Sequence, residues 1–188
     1  MTNNLLPGMN SDGLLEFFVV ENEVKVMHSG KIETFADTPF DLFQLLKETI
    51  NNDPLVLEKL TEMHPTSEYR RIEQFVKCRF GGLDYQGDFC TKERKLQDGE
   101  YWPCPKHGSC SAEGILCKLP IVNGERLTKQ EVQLVKLSTT DMKNEVIAEE
   151  MNLPLGTFHK MKHILYQKLG NIQTKQCLTK LAIALNII

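Results

Sequence analysis

Five of the six cysteines fall in one stretch of the chain, at Cys78, Cys90, Cys104, Cys110 and Cys117, with His107 midway between Cys104 and Cys110. Thiolates and imidazoles at that density suit a zinc ion, which takes four of them in a tetrahedron and can fold a segment with little apolar core of its own. Glycines beside the sulfurs, in Cys78-Arg79-Phe80-Gly81-Gly82 and His107-Gly108-Ser109-Cys110, let the backbone curl so that N–H groups point at them. The preferred ligand set is Cys78, Cys104, Cys110 and Cys117. Cys90 is then a spare thiol, and His107 an outer donor or a surface residue. Rival sets exchange Cys78 for Cys90, or one cysteine for His107. An iron–sulfur cluster is the competing cofactor, since four thiolates suit it as well and would make the segment a redox or gas sensor. Disulfides would require an oxidising compartment. Zinc catalysis would require an open coordination position and a general base, and Glu113-Gly114 belongs to no motif that presents one.

A second group of residues lies near the C-terminus. On a helix over Thr157–Leu169, turning about 100° per residue, Phe158, Met161, Leu165 and Leu169 share one side and His159, Lys160, His163 and Gln167 the other. Lysine on such a face reaches phosphate or guanine, and histidine and glutamine can read base edges. Lys162 and Lys168 fall toward the two borders of the apolar side, where long stems can carry the amines out to phosphates. The charge distribution points the same way. Residues 1–125 hold 13 Lys/Arg against 20 Asp/Glu, a net of −7, whereas residues 126–188 hold 9 against 5, a net of +4. From Asn152 to Ile188 there are five lysines, two histidines and no carboxylate, which suits a polyanionic partner. A whole-chain net charge of −3 hides this division.

The elements that position both groups can be read from periodicity and caps. Residues 1–13 read as a flexible leader. Phe17–Val20, Val24–Met27 and Lys31–Phe35 read as a hairpin with a third strand. Three short helices follow, starting near Pro39, at the Asp53-Pro54 cap, and at Thr66 or Ser67. Residues 78–119 carry little periodic apolar content, and 120–125 read as a linker. Thr128 with Glu131 three residues on forms a capping box for a helix containing Val132, Leu134, Val135 and Leu137. A second helix at about Lys143–Met151 is expected to bury Val146, Ile147 and Met151, with small Ala148 at a close helix crossing. Asn152-Leu153-Pro154-Leu155-Gly156 is a turn, Thr157–Leu169 the third helix, Gly170 its stop, and about Thr174–Asn186 the fourth. Helix, short turn and helix with a small residue at the crossing is the helix-turn-helix arrangement.

The same residues carry a resemblance. Leu127-Thr-Lys-Gln-Glu131, Asn144-Glu-Val-Ile-Ala148-Glu149, Gly156-Thr157, Ile164-Leu165 and Lys168-Leu169-Gly170, in that order, resemble the LuxR-type DNA-binding domain of bacterial transcription regulators over about residues 125–188. The resemblance implies that the third helix enters the major groove and that the last helix contributes to dimerisation. It also implies that His159, Lys160 and His163 face the groove and that Thr157 contacts phosphate. Pro154 stands where that family often has a serine cap, His159 where lysine is common, and Met161 where histidine is common; these departures bear on base preference. Region four of sigma factors has a similar helix pair, but the Lys168-Leu169-Gly170 junction before another apolar helix favours the LuxR type. The Cys78–Gly82 run and the stretch from Trp102 to Cys117 also resemble LuxR-related regulators with a cysteine-rich middle.

The fold expected is therefore an α+β N-terminal region (14–77), a small Cys-rich metal-ordered segment (78–119), and an all-α four-helix helix-turn-helix domain (126–188). The expected function is sequence-specific binding of double-stranded DNA in transcription regulation, with DNA contacts from Thr157, His159, Lys160, Lys162, His163 and Gln167. RNA polymerase and a second copy of the chain are further expected partners. Alternative readings are an iron–sulfur redox-sensing regulator, a metal-dependent enzyme, and a protein-interaction module anchored by the basic tail. No Ser/His/Asp arrangement or glycine-rich phosphate loop supports catalysis, so a non-enzyme is expected. Met1-Thr2-Asn3-Asn4 lacks the basic start and apolar run of a signal peptide, and no stretch approaches the roughly 18–20 apolar residues of a membrane span, so a cytoplasmic protein is expected.

Overall fold

The computed structural model describes residues 5–11 and 13–188; residues 1–4 and 12 of the expected leader lie outside the described residues. Among the described residues it is a mixed α+β chain with an antiparallel five-stranded sheet, a separate two-stranded ribbon and seven α-helices. It packs as two compact units. The first runs to Trp102 and includes Gly114–Lys118, and the second comprises Pro103–Glu113 and Leu119–Ile188. The segment 78–119 is thus shared between the two units.

In the first unit, β1 (Leu14–Val20), β2 (Glu23–His28) and β3 (Lys31–Thr34) form a meander, and β4 (Phe89–Cys90) and β5 (Lys95–Leu96) extend it on the β1 side. Two tight turns set the meander's register. Glu21 and Asn22 have φ of 50° and 73°, and Ser29 and Gly30 have φ of 51° and 77°, the left-handed pairs that match strand twist in a two-residue hairpin loop. Cross-strand partners Phe17–Val26 and Val19–Val24 follow from the first of them. Helices α1 (Phe40–Asn51), α2 (Pro54–Met63) and α3 (Glu68–Arg79) fall where periodicity and caps place them. Asp53 accepts from Val56 N–H, and Ser67 from Arg70 N–H, closing the two predicted starts. The core joins Leu15 and Phe17 to Leu42, Leu46, Leu60, Ile72 and Phe75. The β4–β5 hairpin is absent from the sequence reading, because two-residue strands leave no alternation to detect.

In the second unit, β6 (Ile121–Val122) pairs with β7 (Glu125–Arg126) across Asn123-Gly124, with φ of 51° and 81°. Residues expected as a linker hold this hairpin instead, and the Asn-Gly pair was its available signal. Four helices follow: α4 (Lys129–Ser138), α5 (Asn144–Glu150), α6 (Leu155–Lys168) and α7 (Lys175–Ala184). Both arms of the Thr128–Glu131 capping box form. Phe158, Leu165 and Leu169 from α6 and its end are buried, with Leu134, Val135, Ile147, Ala148, Leu178 and Ala182 from the other three helices. Val146, expected in the core, is exposed.

Candidate nucleic-acid interface

The α5–α6 turn is built by Asn152. Its φ of 54° reverses the chain, and Asn152 N–H and Leu153 N–H donate to Glu149 and Ala148 carbonyls at 2.9 Å each, the paired bonds of a Schellman end. Asparagine tolerates the left-handed region better than most side chains. Pro154 then caps α6 without a side-chain hydrogen bond, its carbonyl accepting from Phe158 N–H at 3.0 Å. Phe158 is fully buried under α6, fixing which side faces inward.

The opposite side is exposed. Gly156, Lys160, His163 and Gln167, at spacings of four, three and four, form one outward stripe, with Thr157, His159 and Ile164 exposed beside it. A side chain added at Gly156 would meet open space. No carboxylate lies on α6. Of the six residues expected to contact DNA, Thr157, His159, Lys160, His163 and Gln167 are thus surface groups of one helix.

Lys162 differs. It is half-buried, its Nζ donates to Asn144 Oδ1 at 2.8 Å, and it lies 5.8 Å and 5.4 Å from the Phe158 and Tyr166 ring centroids. Burial lowers its pKa. Lys168, expected to extend toward phosphate, is tied down. Its Nζ donates to Glu131 at 3.1 and 3.2 Å and to the Arg126 carbonyl at 3.0 Å. Burial raises the Glu131 pKa, but the Thr128 N–H and the Lys168 ammonium outweigh it and hold the carboxyl below its usual range.

The cysteines are distributed differently from the helix residues. Cys78 and Cys117 lie in the first unit, Cys104 and Cys110 in the second. The Gln74 amide donates to Cys78 Sγ at 3.1 Å, and Gly114 N–H approaches Cys117 Sγ at 3.5 Å. Among the described residues, however, no group of three or more His, Cys, Asp or Glu is placed to hold a metal ion. The arrangement therefore gives neither zinc nor an iron–sulfur cluster geometric support. Burial lowers the His107 pKa, with Glu113 acting in the opposite direction. Cys90 stands on β4, opposite Lys95.

Sequence reading missed a buried acidic group in the first unit. Glu16 on β1 is 1% exposed and Asp88 5%. Phe17 N–H donates to Asp88 at 2.7 Å, Asp84 N–H to Glu16 at 3.0 Å, and Gly82 N–H to Glu100. Burial, reinforced by the neighbouring carboxylates, pushes Glu16 up to about 8, Glu100 to about 7 and Asp88 well above the usual range. One Glu16 oxygen, Oε2, is buried without a hydrogen-bond partner. Nothing in the sequence marks Glu16, because both faces of β1 are covered.

No helix is long and apolar enough to cross a membrane among the described residues. Comparison of the chain with protein-family models, curated proteins and solved structures returned no match.

Proposed function

We propose that the chain is a sequence-specific regulator that binds double-stranded DNA by laying α6 in the major groove. The observation that carries the reading is the outward stripe Gly156, Lys160, His163 and Gln167 on a helix without carboxylates. An α-helix fits the B-DNA major groove, lysine can bond guanine O6 and N7, and glutamine can bond adenine N6 and N7. Helix α5, held to α6 by the Asn152 turn and the buried Ala148, would cross the backbone in the manner of a helix-turn-helix first helix. The resemblance to LuxR-type domains supports the same reading. Structural zinc on Cys78, Cys104, Cys110 and Cys117, with an iron–sulfur cluster as the alternative, stays in the proposal on thiol chemistry alone, and DNA binding is not routed through it. A homodimer through α7 would use Ile183, which is exposed, rather than Leu178, which is buried.

Exposed Ile164 and Leu155 beside the stripe favour a second reading, a protein-interaction surface for an acidic partner. Fluorescence anisotropy on random-sequence duplex DNA at several salt concentrations separates the two. The DNA reading predicts salt-dependent binding that Lys160→Glu combined with His163→Glu abolishes. Binding that survives the double substitution removes α6 as the groove element.

A further inference from the structure

Lys162 is a half-buried cation with no anion beside it among the described residues. An ammonium has three hydrogens to donate, and one of them goes to Asn144 Oδ1. No Asp or Glu lies within ion-pair distance of it among the described residues. Two aromatic rings at 5.4 and 5.8 Å hold the charge in place but supply no counterion. A half-buried charge left in that state is costly, and the cost falls when an anion arrives.

Space for one exists beside it. A cavity of about 350 Å³ lined by Ser138, Thr140, Asn144, Lys162, Tyr166 and Gln173 opens on Lys162 from one side. An adjoining groove of about 500 Å³ shares four of these residues and runs along His159, His163 and Gln167. The carboxylate in the cavity lining, Asp141, is taken by Lys175 at 2.7 Å. Ser138 is buried, and its Oγ makes no hydrogen bond of good geometry, though it lies near enough to the Tyr166 phenol to lower its pKa against the burial that raises it. The lining thus combines hydroxyls and amides with apolar Met142 and Ile147, the Asp141–Lys175 ion pair and the Lys162 ammonium, a set of net positive charge that suits an oxyanion. The adjoining groove reaches His163 and Gln167 of the outward stripe, and a helix seated in the major groove is flanked by backbone phosphates.

We propose that Lys162, with Asn144, Tyr166 and Gln173 around it, forms a socket for one phosphate group, supplied by the DNA backbone. In that role Lys162 anchors the domain and reads no base. The proposal rests on the reading of α6 as the groove helix.

The test is the salt dependence of duplex affinity for the wild type, Lys162→Met, Lys162→Arg and Asn144→Asp, each on two unrelated duplexes. Loss of one phosphate neutralisation predicts that Lys162→Met makes the slope of log K against log salt shallower by about 0.9. It also predicts weakening by the same factor on both duplexes. Lys162→Arg keeps the slope. Asn144→Asp, which places a carboxylate beside the ammonium without removing the stem, gives the same loss as Lys162→Met and guards against a mere packing defect. Unchanged slopes in both Lys162→Met and Asn144→Asp, or a loss confined to one duplex, overturn the socket while leaving the groove reading intact. If the wild type binds no duplex, the groove reading falls. Inorganic phosphate then decides the socket: a rise in melting temperature for the wild type but not for Lys162→Met supports a free-phosphate source, and no rise overturns it.

Discussion

Glu16, Asp88 and Glu100 show how a buried position rewrites the chemistry of an ordinary side chain. All three carboxyls are raised first by burial and then by neighbouring carboxylates, Asp84 among them in each case, Glu16 to about 8 and Glu100 to about 7. A folded-state pKa above the unfolded value means that the native state holds protons the unfolded chain has released. The associated stability is full below the unfolded pKa and is lost as pH rises through the folded one. The first unit is therefore predicted to lose thermal stability between about pH 5 and pH 8, and Glu16→Gln to flatten that loss. Thermal melts across this range check it, and an unaltered pH profile in Glu16→Gln would contradict the assignment. Lys168 gives a second prediction at this scale. Because its ammonium is bound to Glu131 and the Arg126 carbonyl, Lys168→Ala should leave the salt slope of DNA binding unchanged while lowering the melting temperature. The sequence placed Lys160 and His163 correctly on the outer side by wheel arithmetic alone. It could not separate Lys162 from Lys168, since both sit at borders where the partner on the neighbouring element decides direction.

At the scale of elements, the helices of both units are legible from their apolar stripes, and α2, α3, α4 and α7 also from side-chain caps at Asp53, Ser67, Thr128 and Thr174. Thr128 and Glu131 close both arms of their box, so Thr128→Ala is expected to cost about 1 kcal/mol in chemical denaturation. Phe158 fixes the rotation of α6 from full burial. Phe158→Ala should cost about 3–5 kcal/mol and abolish DNA binding through loss of the domain rather than of a contact. Circular dichroism on the same sample distinguishes these causes. The short strands were harder to see. Phe89–Cys90 and Lys95–Leu96 are each two residues long and owe their strand state to the edge of β1, a tertiary effect without a local pattern. Asn123-Gly124 carries the two-residue hairpin signal in the sequence itself. The left-handed Asn152 was harder to find, because Asn-Leu-Pro reads equally well as loop or turn.

Across the whole molecule, charge and thiols are distributed by different rules. The acid-rich and base-rich parts of the sequence separate near residue 125, and the base-rich part holds the exposed face of α6. The cysteine density that suggested a metal is a property of the sequence order, and the two compact units divide the four preferred ligands two and two. Sequence spacing could not anticipate that division, because spacing carries no information on which body a loop residue joins. Elemental analysis and absorbance of freshly purified protein test the thiol chemistry. One zinc per chain supports a four-thiolate site, a visible charge-transfer band supports iron–sulfur, and metal-free protein of full helical content contradicts both.

The account stands on α6 meeting base edges in the major groove, and the most direct measurement is selection of duplexes from a random pool followed by dimethyl sulfate probing of the enriched site. The predicted result is a recurring short sequence containing guanines whose N7 atoms are protected by the wild type and unprotected with Lys160→Ala or His163→Ala. No enrichment, or an enriched site whose guanine N7 atoms stay fully reactive in the complex, would contradict it.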